Sequence, residues 1–122
     1  MIQVQIVKAG NHISGFQISG HAGYAQHGQD IVCAAASFLA ITVVNSLELQ
    51  LGKEGTVKSE DGYLYYRLPQ GLTEQELETA QIILRTLVTG YQNLKEEYPK
   101  YIPMHLPLFS NFELKYIWDT LL

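Results

Sequence analysis

From Asp30 to Leu51 the chain runs without a glycine or a proline, and most of that span is apolar. A strand of that length would be unusual. The span therefore predicts one long helix, buried on most of its sides. Asp30 is placed to cap its start and Gly52 to stop it. With 122 residues the chain has room for one domain, so the other elements must be arranged around this helix. The apolar stretch Ile31 to Val44 is broken by Ser37 and Thr42 and reads as too short for a membrane span.

Before the helix, Ile2, Val4 and Ile6 alternate with Gln3 and Gln5, the period of a half-buried strand. Gly10-Asn11 makes a turn, and Ile13, Phe16 and Ile18 predict a second strand paired with the first. After the helix, two strand-like runs, 56–59 and 63–68, flank Asp61-Gly62, a strong hairpin signal. Tyr63, Tyr65 and Tyr66 belong to that hairpin as strand formers and cross-strand packers. Thr73 and Glu76 have capping-box spacing, and Leu77, Ala80, Ile83, Leu84, Leu87, Val88 and Tyr91 then follow the helical period. Thr89-Gly90 inside this helix reads as a point of close packing. The order is ββαββα. The expected fold class is α+β: two layers, with a mainly antiparallel sheet packed by two helices. The division expected is a domain over 1–102 and a C-terminal extension over 103–122. In that extension Ser110 and Glu113 resemble another capping box, ahead of a short helix with an aromatic face.

The net charge of −4, with no basic run or arginine cluster, excludes an electrostatic nucleic-acid surface. Cys33 is the one cysteine, so no internal disulfide can form, which fits a reducing compartment. Met1 is followed at once by a strand pattern rather than by a charged segment and a cleavage site. These features predict a cytoplasmic protein that does not enter a membrane.

The residues with chemistry in them gather between positions 20 and 37. Cysteine attacks as a thiolate. With Asp30 as the cap, Cys33 falls at the third helical position, where the helix dipole and free N–H groups favour negative charge. His21 lies in a loop punctuated by Gly20, Gly23 and Gly28, which can bring an imidazole back to the thiol. Asp30 fits as the cap or as an orienter of His21. Ser37, one turn beyond Cys33, can share its face. The amides of Cys33 and Ala34 are candidates to hold an oxyanion.

On composition alone, a lone cysteine in an alanine-rich helix is more often a small buried hydrophobe than a nucleophile. His12 and His27 read as surface histidines, and the Cys/His spacing matches no common zinc pattern. A peptide-binding module, an acyl transferase and a structural partner protein stay open. A redox role lacks a resolving cysteine.

The run Gly20-His21-Ala22-Gly23-Tyr24-Ala25, followed by Gly28-Gln29-Asp30-Ile31-Val32-Cys33-Ala34-Ala35-Ala36-Ser37, resembles the ribosomal-processing cysteine protease family Prp. The resemblance covers roughly residues 1–102. It implies a compact α+β homodimer that removes a short N-terminal extension from large-subunit ribosomal protein number twenty-seven, without metal or organic cofactor. The family's nucleophile falls on Cys33 and its base on His21. The motif acid and hydroxyl fall on Asp30 and Ser37, and residues 22–29 would form a flap over the substrate. Because the segment removed in this family ends in apolar residues, often Phe-Phe, an apolar pocket is expected beside Cys33. Tyr24 and Phe38 are its expected lining, with Gly20, Gly23 and Ala34 near the substrate backbone.

Overall fold

The computed structural model describes residues 1–103. Strands β1 (Gln3–Ala9) and β2 (His12–Ser19) lead into helix α1 (Ile31–Leu51). Strands β3 (Thr56–Glu60) and β4 (Tyr63–Arg67) lead into helix α2 (Glu74–Glu97). The sheet order is β1-β2-β4-β3, with every pair antiparallel. This is the ββαββα, α+β architecture expected. The expected aromatic-faced helix after Ser110 lies outside the described residues.

Helix α1 begins and ends, and helix α2 begins, on the predicted signals. Asp30 caps α1, and Gly52 closes it in the left-handed conformation, donating its N–H to the Glu48 carbonyl. Thr73 and Glu76 form a reciprocal capping box at the start of α2. The helices meet closely. A Cβ on Gly90 would stand 2.5 Å from Leu39 Cδ2, and Tyr91 donates its hydroxyl to the Ala36 carbonyl at 2.8 Å. The core between helices and sheet is built from Phe16 and Tyr66 below and Leu84, Leu87, Val88 and Tyr91 above.

One buried polar side chain joins the layers. Strand β2 carries a bulge, since Val7 pairs with Gly15 but Lys8 with Ile13. Ile13 also lies past the end of β4, whose pairing with β2 stops at Gly15 and Arg67. Gln81 of α2 takes the place of the missing strand, accepting from Ile13 N at 2.7 Å and donating to Ile13 O at 2.8 Å. Gln81→Ala is expected to cost about 3 kcal/mol, because a buried donor and a buried acceptor both lose their partner. Urea denaturation of the variant measures this directly.

Two expectations about α1 need correction. At 21 residues and mean hydropathy 1.8, the helix is long and apolar enough to cross a membrane by length and composition, because it continues past Val44. It is also not buried on most sides. Val32, Ala36, Ala40, Val43, Val44, Leu47 and Leu51 enter the core, while Ile31, Phe38 and Leu49 stay exposed on the other face. Only one side of α1 meets α2 and the sheet, so an apolar sequence does not guarantee a buried surface.

Candidate active site

Cys33 sits in the first turn of α1 and is half-buried. Its Sγ lies 3.8 Å from His21 Nδ1, so the glycine-punctuated loop does bring the imidazole back to the thiol. His21 leaves strand β2 through Gly20, whose N–H donates to the Gly62 carbonyl at 2.8 Å. The Met1 amino group donates to the His21 carbonyl. The imidazole rests against the turn of the β3–β4 hairpin. A Cβ on Gly62 would stand 2.9 Å from His21 Nε2, and Gly62 has φ of +69°, so both space and backbone conformation favour glycine there.

Asp30 organises the other side. One carboxylate oxygen accepts from Val32 N at 3.0 Å and Cys33 N at 2.9 Å. The other accepts from Tyr24 N at 2.9 Å and Ala25 N at 3.3 Å. One side chain therefore ties the start of α1 to the loop 22–29. Burial pushes its carboxyl up, but the N–H groups of Cys33, Ala25, Tyr24 and Val32 together outweigh this and hold it below the ordinary 3.8. These bonds commit Asp30 to backbone amides and make it a cap rather than an orienter of His21.

The same bonds correct the expected oxyanion donors. The Cys33 amide is engaged by Asp30 Oδ1, and the Ala34 amide donates to the Asp30 carbonyl at 3.0 Å. In this conformation neither is directed at a substrate. The residue that faces His21 Nε2 is Asp61, with Oδ1 at 3.9 Å. Reading along the chain missed it, because Asp61 is forty residues away and read only as half of a turn. The pairing of β4 with β2 is what carries the hairpin tip to His21.

A groove of about 760 Å³ opens beside the thiol. Its wall on α1 is a single stripe, Ala34, Ser37, Ile41 and Val44, at helical spacing. Its floor is the inner face of the sheet at Ile18, Leu64, Ser59 and Val57, toward the β3 end. Of the residues expected near substrate, Gly20, Gly23 and Ala34 line this groove, as do His21, Asp30, Cys33 and Ser37. Tyr24 and Phe38 do not. Tyr24 packs edge-on against Tyr98 and Tyr101 at 5.6 and 5.2 Å between ring centres. Phe38 is 72% exposed on the outer face of α1. The apolar surface expected from those two is supplied by Ile18, Ile41, Val44 and Leu64. His27, read as a surface histidine, lies edge-on to the His21 ring at 6.4 Å and also lines the groove.

A thiol with an imidazole in reach, set beside an open groove, is the arrangement that the cysteine proteases use as a class. The sequence profile of the family described as cysteine protease Prp matches residues 1–103. The chain belongs to that family. The ribosomal processing cysteine protease Prp of Bacillus subtilis is 29% identical over 101 residues, covering 80% of this chain and 90% of that protein. The Staphylococcus aureus protein of the same name is 28% identical over 106 residues, covering 86% and 98%. The crystal structure of the essential ribosomal processing protease Prp from S. aureus with a covalently linked product peptide gives a TM-score of 0.73 at 30% identity, covering 84% of this chain and 95% of that one. The S. aureus structure with a substrate peptide gives 0.67 at 28% identity, with the same coverage.

Proposed function

We propose that this protein is an endopeptidase that removes a short N-terminal extension from large-subunit ribosomal protein number twenty-seven, with Cys33 as nucleophile and His21 as base. The observation that carries the reading is the 3.8 Å approach of Cys33 Sγ to His21 Nδ1 at one end of the groove. His21 takes the thiol proton and the sulfur attacks the scissile carbonyl. The imidazolium then protonates the leaving amine, and water hydrolyses the acyl-enzyme. Asp30 holds the thiol-bearing turn, and Ser37 stands one turn along the same wall, where its hydroxyl can bond the thiolate or the attacking water. No metal or organic cofactor takes part.

The apolar groove suits an extension that ends in apolar residues. The protease unit is residues 1–102, with 103–122 as an extension, and the protein works in the cytoplasm. The exposed apolar face of α1, with Ile31, Phe38 and Leu49, supports a homodimer. Incubation with the extended ribosomal protein, followed by intact mass, tests the reading. Loss of one defined N-terminal segment is the expected result. An intact substrate that still binds would instead favour a peptide-binding module.

Asp61 acts in this scheme as a positioning residue for His21. It is 89% exposed, so water screens its charge and its effect is small. Asp61→Asn is expected to lower kcat/KM about threefold at low salt, and the difference from wild type should shrink in high salt. A salt-independent loss would mean that the residue acts through the shape of the turn.

A further inference from the structure

We infer that the substrate enters as an extra strand on the free edge of β3, its backbone paired with Val57 and Ser59. The inference rests on the proteolytic reading above and specifies how the groove holds a peptide. β3 is the outermost strand of the sheet. Its hairpin with β4 closes through Asp61-Gly62, with Glu60 opposite Tyr63. In a two-residue hairpin the closing pair exchanges both hydrogen bonds, and bonded pairs then alternate along the ladder. Glu60, Lys58 and Thr56 therefore spend their N–H and C=O groups on β4. Val57 and Ser59 turn theirs outward, away from β4.

Those same two residues place their side chains in the groove beside Cys33 and His21. The edge and the site are thus continuous. Val57 remains exposed on the sheet's inner face, with no helix over it. From Cys33 to Asn45, the groove follows about 18 Å of α1. That is the length of about five extended residues. A strand laid on β3 would turn alternate side chains toward Ile41, Val44 and Leu64. The occupant is an extended peptide with apolar residues on that side, bound mainly through its backbone. Because an acyl-enzyme retains the fragment N-terminal to the cut, and β3 runs toward the hairpin tip beside His21, that fragment lies parallel to β3.

The probe is a synthetic ten-residue peptide containing Phe-Phe, added to saturation to ¹⁵N-labelled Cys33→Ala protein. Amide hydrogen exchange at Val57 and Ser59 is expected to slow about tenfold or more, while Lys58, already in the ladder, changes little. In the active enzyme, Ser59→Pro removes an outward N–H without touching the β4 ladder, a place where an edge strand accepts proline. Its kcat/KM on the same peptide should fall about tenfold through KM, one hydrogen bond's worth. The rate of Cys33 alkylation by iodoacetamide should stay at the wild-type value. Saturation without slowed exchange at Val57 and Ser59 overturns the inference, and so does a peptide that fails to bind. Cleavage by wild type together with either result leaves the protease reading standing. Absence of cleavage by wild type is what removes that reading, and the exchange measurement on Cys33→Ala does not depend on it.

Discussion

Cys33→Ala is expected to abolish peptide cleavage, with a fall of about 10⁴-fold or more, the usual loss when a covalent nucleophile is removed. The fold should be unaffected, since Cys33 is only half-buried and alanine already fills the next three positions. An unchanged urea midpoint would separate lost chemistry from lost structure. His21→Ala should cost about 10²- to 10⁴-fold, the range for a general acid–base group. The bond from Met1 reaches the backbone carbonyl of His21, so alanine keeps it. Single-turnover cleavage by both variants, read by mass, gives the answer. Wild-type turnover by either variant would remove that residue from its role.

The second large effect is at Asp30. Replacing it with alanine removes the cap of α1 and leaves four backbone amides, those of Tyr24, Ala25, Val32 and Cys33, without their acceptor. A lost cap alone costs about 1 kcal/mol, and stranded donors add to it. A total of about 3 kcal/mol is expected, measurable by chemical denaturation. Activity should fall as well, because the turn bearing Cys33 and the loop after His21 lose their common anchor. Asp30→Asn keeps one acceptor oxygen and should recover part of the stability.

The pH dependence follows from the same bonds. The folded protein holds the Asp30 carboxyl below its ordinary 3.8, so the folded state favours the ionised form. That contribution is complete above the unfolded value and disappears as the pH falls through the lower folded one. Acid below about pH 4 should therefore loosen this corner in wild type and leave Asp30→Ala less affected.

Much of this arrangement was written in local sequence. The caps at Asp30 and Thr73, the stop at Gly52 and the turn at Asp61-Gly62 each depend on residues within a few positions of one another. The approach of His21 to Cys33 was also legible, because both flank one short glycine-rich loop. What local pattern could not carry was the lateral order of the strands. Nothing near Asp61 announces that β4 will pair with β2 and bring the hairpin tip to His21. The lining of the groove was misplaced for a related reason. Tyr24 is drawn to Tyr98 and Tyr101, residues that reach it only after α2 has run its length and the chain has returned beside Ile2, whose N–H donates to the Tyr101 carbonyl. Gln81 carries no local signal of its role, which depends on a bulge in a distant strand.

The face that α1 presents has a consequence for how its rotation is specified. Polarity usually tells a helix which way to turn, but here Ile31, Phe38 and Leu49 outside are as apolar as Val43 and Leu47 inside. What distinguishes the sides is volume. Ala36 and Ala40 are buried, the Ala36 carbonyl accepts from the Tyr91 hydroxyl, and Leu39 fills the space left by the missing side chain at Gly90, so this side of the helix is close-packed. The azimuth of the helix, and with it the direction in which the thiol faces, is thus set by a steric key rather than by a wet side and a dry one.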